Sequence, residues 1–109
     1  MAYGVIHRFK GGTKEQYEAS LAKVHPNQGA DLPEGQTLHI SGPTGDGWIV
    51  VAIHDSREIW ERFREETLMP GLQELGESGF AGPPQETTFE VAKIQQGAGG
   101  EGTEPFVLT

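Results

Sequence analysis

Residues 36–54 read QTLHISGPTGDGWIVVAIH. Two runs rich in β-branched and aromatic residues flank a cluster of Gly, Pro, Thr and Asp, which is the pattern of an antiparallel β-hairpin. The spacing predicts strands at about Gln36–Ser41 and Trp48–His54, with the turn centred near Gly45. That register sets His39 opposite Val51 or Ala52, and His54 opposite Gln36 or Thr37. Each strand thus carries a histidine, and the two are diagonal neighbours.

Upstream, Tyr3–Phe9 reads as a strand that ends at Gly11-Gly12. Thr13 followed by Gln16 is a capping-box spacing and opens a helix running to His25. Its apolar positions Tyr17, Leu21 and Val24 form one stripe, and Pro26 stops it. Residues 27–35 are loop material. Downstream, Asp55 or Ser56 caps a second helix in which Ile59, Trp60 and Phe63 share a face. Pro70 predicts a kink or break near Thr67–Met69, and the continuation ends at Gly76. After a loop over 76–86 the last strand is expected at Thr87–Ile94.

The order β-α-β-β-α-β defines a ferredoxin-like α+β unit, one four-stranded antiparallel sheet with both helices on one face. Residues 1–95 make a single domain. Residues 96–109, with four glycines between Gly97 and Gly102, read as a flexible tail ending in the apolar Phe106-Val107-Leu108. Alternation along Trp48–His54 makes both faces of that strand apolar. Ile49, Val51 and Ile53 are expected to lie under the helices, with Trp48, Val50, Ala52 and His54 on the opposite side. A face that the helices do not cover calls for a second copy of the chain, so a homodimer is expected.

Bulk properties narrow the function. A net charge of −8 over 109 residues disfavours nucleic-acid binding and docking on an anionic membrane. With no cysteine there is neither a disulfide framework nor a thiolate nucleophile. The short apolar run in MAYGVIHRFKGG is broken by His7 and Arg8, so it is not read as a signal peptide. A cytoplasmic protein is the default expectation.

A short β-α-β-β-α-β chain with this hairpin, and with IWERFREETLMPGL (residues 59–72) on its second helix, resembles the dimeric α+β barrel superfamily. Within it the chain is most similar to antibiotic-biosynthesis-monooxygenase domains, over about residues 3–95. The resemblance implies a cavity between the sheet and the helices of each subunit. It also implies a range of activities: cofactor-independent oxygenases of polyketide-like phenols, haem-degrading enzymes, isomerases, and members without activity. The haem-degrading members pair an asparagine on the first strand with a histidine on the second helix. Here His7 occupies the first strand, and no histidine lies between residues 56 and 76.

The candidate catalytic groups are His39 and His7, either of which as a neutral imidazole could take a proton from a phenol near neutral pH. The bland alternative is a strand histidine bonded to backbone or solvent. Trp48, Tyr3, His54, Phe63 and Arg8 are candidate substrate-binding residues, with Tyr17 and Phe80 behind them. Trp60 reads as core, and His25 as a favourable charge at a helix C-terminus. No histidine spacing supports a metal site. The acidic pairs of the second helix read as a solvated face, and GAGGEG lacks the flanking strand and helix of a phosphate loop. The expected ligand is a small apolar or aromatic molecule, and no cofactor is expected, with haem as the alternative. The leading function is a cofactor-independent monooxygenase or related cyclase or isomerase. The competing one is a non-catalytic binding or assembly protein.

Overall fold

The computed structural model describes residues 1–97. The tail expected at 96–109 therefore lies almost wholly outside the described residues. The elements are β1 (Tyr3–Lys10), α1 (Lys14–Val24), β2 (Gln36–Thr44), β3 (Gly47–His54), α2 (Arg57–Phe63), α3 (Met69–Leu75) and β4 (Gln85–Glu90). The strands form one antiparallel sheet in the order β2-β3-β1-β4. This is the ferredoxin-like α+β fold. Among the described residues no helix is long and apolar enough to cross a membrane.

Local chemistry accounts for the boundaries. Thr13 and Gln16 form the reciprocal capping box, each side chain bonding the other's backbone N–H. Ser56 rather than Asp55 caps α2, its hydroxyl accepting from the Ile59 N–H. The hairpin is tighter than expected: β2 runs on to Thr44, and only Gly45 and Asp46 separate the strands. Strand β4 starts two residues earlier than expected and ends at Glu90, although the Val91 N–H still reaches the Ala2 carbonyl.

Pro70 acts through the turn before it. Residues Arg64–Leu68 form a π turn in which the Met69 N–H reaches back to the Arg64 carbonyl. The extra residue widens the helix where proline lacks an N–H and would crowd the preceding carbonyl. The helix is thus reshaped rather than broken, and α3 continues to Gly76, whose φ of 53° stops it. Gly71 lets α3 approach α1 closely, since a Cβ there would lie 2.7 Å from Val24 Cγ1.

The side-chain parity of the sheet is opposite to the expectation. Val5 and Phe9 of β1, with Trp48, Ala52 and His54 of β3, are buried beneath the helices. Phe9, Tyr17 and Trp48 form the packed nucleus, and Phe9 stacks on Phe80 at 3.7 Å between ring centroids. Ile49, Val51 and Ile53 instead face away from the helices. Because both sides of β3 are apolar, hydropathy alone does not tell them apart. Aromatic packing decides: Phe9 lies directly across from Trp48, and on the helix side the two rings are buried with Tyr17 and Phe80.

The outer face is apolar in ranks. Leu38 pairs with Ile53, and Ile40 with Val51, which also pairs with Ile6. Phe89 lies over Gly4, where any Cβ would meet its ring. Ile40 and Phe89 stand 52% and 41% exposed.

Candidate functional site

A cavity of about 260 Å³ lies between the sheet and the helices. Its floor is Val5, His7, His39, Val50 and Ala52 from the strands. Its walls come from Tyr17, Leu21 and Val24 of α1 and from Trp60, Phe63 and Leu72 of the helical segment opposite. Phe80, Pro83, Pro84 and Glu86 close one side. An apolar cavity of ~150 Å³ holds a benzene ring, so this one matches one or two fused rings.

Of the expected site residues, His39, His7 and Phe63 line this cavity. Trp48 does not: it is buried core against Tyr17, its ring 5.2 Å away, and its Nε1 lacks a partner. His54 is fully buried behind Trp60 and Phe63. Tyr3 sits at the strand end, paired with His54 and Glu90. Arg8 is exposed and, by alternation, on the outer face. Trp60 is buried as expected of core and also lines the cavity.

His7 stands directly across from Glu86 on β4, and their side chains meet at 2.9 Å from Nε2 to Oε2. A carboxylate only accepts, so His7 carries its proton on Nε2 and leaves Nδ1 as a lone pair. Burial pulls the His7 pKa below its usual range, while the hydrogen bond and charge of Glu86 work against that pull. The imidazole is thus neutral near pH 7, with an anion in place to stabilise its protonated form.

His39 has a different setting. Its Nδ1 lies 3.0 Å from Gln36 Oε1, and its Nε2 lies 2.7 Å from the Tyr17 hydroxyl. Gln36 Nε2 in turn reaches His54 Nε2 at 3.5 Å. Gln36 and His39 share a face because β2 bulges between Gln36 and Leu38, which displaces Thr37 and restores the parity. Burial, together with the neighbouring His25 and His54, brings the His39 pKa down to about 4. His25, its ring 4.8 Å from that of His39, is likewise lowered to about 4, by burial first and then by His54. The charge expected at this helix end is therefore absent near neutral pH. No group of three or more His, Asp or Glu among the described residues could hold a metal ion.

Sequence reasoning missed Gln36, Glu86 and the cavity role of His25. Gln36 is hidden by the bulge, which no Gly or Pro marks. Glu86 falls in the loop expected over 76–86, because the sequence pattern starts the last strand at Thr87. The cavity is small for haem, being below the ~300–1,000 Å³ of ordinary ligand pockets. Both His39 ring nitrogens already have protein partners, so that residue does not suit a haem iron either.

No protein-family model matches the sequence, and no curated protein matches it. A solved structure shares the fold: one from Chloroflexus aurantiacus J-10-fl, provisionally described as an antibiotic biosynthesis monooxygenase. The alignment covers 91% of this chain and 100% of that one, at a TM-score of 0.60 and 14% identity. The class is thus a ferredoxin-like α+β domain. More narrowly, the chain has the fold of the antibiotic-biosynthesis-monooxygenase-like domains.

Proposed function

We propose that the chain binds a small, largely apolar aromatic molecule bearing an ionisable hydroxyl, and that His7 takes its proton. The observation that carries this reading is the His7–Glu86 pair at the edge of a mostly aromatic and aliphatic cavity. Glu86 orients the imidazole and stabilises its charged form, and Nδ1 is the base. Deprotonation makes the ring electron-rich enough to reduce dioxygen itself. The protein's tasks are then to bind, to remove the proton and to exclude water, with no cofactor. Cyclase or isomerase chemistry would begin with the same proton. His39, held near 4 by burial and two other imidazoles, serves better as a fixed hydrogen-bonding group than as the base. Two copies would pair through their outer sheet faces, covering the Leu38–Ile53 and Ile6–Val51–Ile40 ranks.

The test is oxygen uptake with 1,5-dihydroxynaphthalene as probe, following wild type, His7→Ala and Glu86→Gln. Uptake above the protein-free rate, cut about tenfold or more in His7→Ala with binding retained, is the expected result. Binding without uptake in wild type would leave a ligand-binding protein and overturn the catalytic part. Haem titration should give no Soret shift.

A further inference from the structure

We propose that Tyr17 is the specificity-determining residue of the cavity: with its hydroxyl proton committed to His39, its oxygen accepts a hydrogen bond from the ligand and selects donors over ethers of the same shape. This rests on the binding reading above but not on the catalytic one.

With the Gln36 amide oxygen turned toward His39, the direction of each bond follows. Gln36 has one acceptor, Oε1, and it faces His39 Nδ1 at 3.0 Å, so Nδ1 carries the proton. Its amide nitrogen only donates, and it faces His54 Nε2 at 3.5 Å, so that nitrogen is bare and the His54 proton lies on the buried Nδ1, which has no partner of its own. A neutral imidazole has one N–H, and His39 is neutral, so its Nε2 is a lone pair. The only proton between His39 Nε2 and the Tyr17 oxygen, 2.7 Å apart, is then the phenol's own. Tyr17 lines the cavity, and its oxygen has no second proton to give a ligand. Burial pushes the Tyr17 phenol up, and Ser41, two positions beyond His39 on the same face, works against that pull. Toward the cavity, the oxygen can therefore only accept.

The structure maintains this arrangement in two ways. The β2 bulge exists at the one place that brings Gln36 round beside His39. The Tyr17 ring is fixed by stacking on Trp48 at 5.2 Å, so the hydroxyl cannot swing off His39 without disturbing the packed nucleus. Tyr17 is buried apart from its cavity edge. An ether oxygen brought to this place would face another acceptor with no proton between them, and both would be left unpaired in an apolar surrounding.

The experiment is a paired titration of 2-naphthol and 2-methoxynaphthalene, followed by the fluorescence of Trp60 and Trp48, in wild type and Tyr17→Phe. Wild type should bind 2-naphthol about tenfold more tightly, and Tyr17→Phe should abolish the difference while 2-methoxynaphthalene affinity persists. That persistence also shows the variant is folded. Equal affinities in wild type, or a preference that survives in Tyr17→Phe, would overturn the inference and leave the binding reading standing. No binding of either probe would overturn both. Independently, ¹⁵N shifts of the His39 ring should show protonated Nδ1 and bare Nε2. The opposite tautomer would make Tyr17 the donor and would overturn the inference without any ligand.

Discussion

Gln36 and His39 stand three positions apart on β2 yet face the same side of the sheet, with the amide oxygen of one accepting the Nδ1 proton of the other at 3.0 Å. In a regular strand residues an odd number apart point to opposite faces. The bulge at Thr37 absorbs one residue, and its exposed side chain donates its hydroxyl to the Ile53 carbonyl. A regular feature has been given up to build a polar chain, Tyr17–His39–Gln36–His54, inside an apolar layer.

Breaking that chain should therefore be expensive. Gln36→Leu removes the acceptor for His39 Nδ1 and the donor to His54 while keeping the volume. The expected loss is about 1–3 kcal/mol in urea unfolding, the range for leaving buried polar groups unpaired. An unchanged midpoint would mean that the contacts contribute nothing to the fold.

Acid should act through the same cluster. His25, His39 and His54 each have folded pKa values lowered to about 4, against about 6.5 in the unfolded chain. Lowered values mean that the unfolded state binds protons first. Their contribution to stability is complete above pH 6.5 and is lost as pH falls from 6.5 towards 4. Each group acting alone would withdraw about 1.4 kcal/mol per pH unit across that window. Unfolding free energies at pH 7.5, 6.5, 5.5 and 4.5 check this: a flat profile contradicts it, and a steep decline starting below 6.5 is expected.

The His7–Glu86 pair predicts a shift of defined sign. Glu86 raises the His7 pKa against burial, so Glu86→Gln should lower it further. In an NMR titration of the His7 ring, the midpoint should move to lower pH in the variant, and that of His39 should stay in place. An upward move would show that Glu86 is not the group stabilising the imidazolium.

Dimerisation through the outer face is open to a single substitution. Val51 lies between Ile6 and Ile40 in the middle rank, half-buried in the isolated chain. Val51→Glu would place a charge at the centre of any interface there, and it should sediment as a monomer of about 11.8 kDa, whereas wild type should sediment as a dimer. A wild-type monomer at micromolar concentration would remove the reason for an apolar outer face.

The topology was legible because its signals are local. Thr13 with Gln16 caps a helix, GPTGDG reverses the chain, and Pro70 marks the reshaped helix to within a few residues. Even the pairing of His39 with Ala52 follows from counting back from the turn. What was not legible depends on tertiary choice. Trp48-Val50-Ala52 and Ile49-Val51-Ile53 are equally apolar, so β3 carries no label for its inner face. The label lies on β1, where Arg8 alternates with Phe9 and marks the Ile6 side as outer. The bulge at Thr37 leaves no composition signal, and with it went Gln36. His25 looked like a helix-end cation because its burial comes from Phe63 and His39, remote in the chain.

The claim underlying all of this is that the cavity between sheet and helices holds a small aromatic molecule. The direct measurement is calorimetric titration of 2-naphthol into wild type and into Val50→Phe, which fills the cavity floor. Saturable one-to-one binding per chain in wild type, lost in a Val50→Phe protein that still unfolds cooperatively, is the predicted result. Absence of binding in wild type, or equal binding in both proteins, would contradict it.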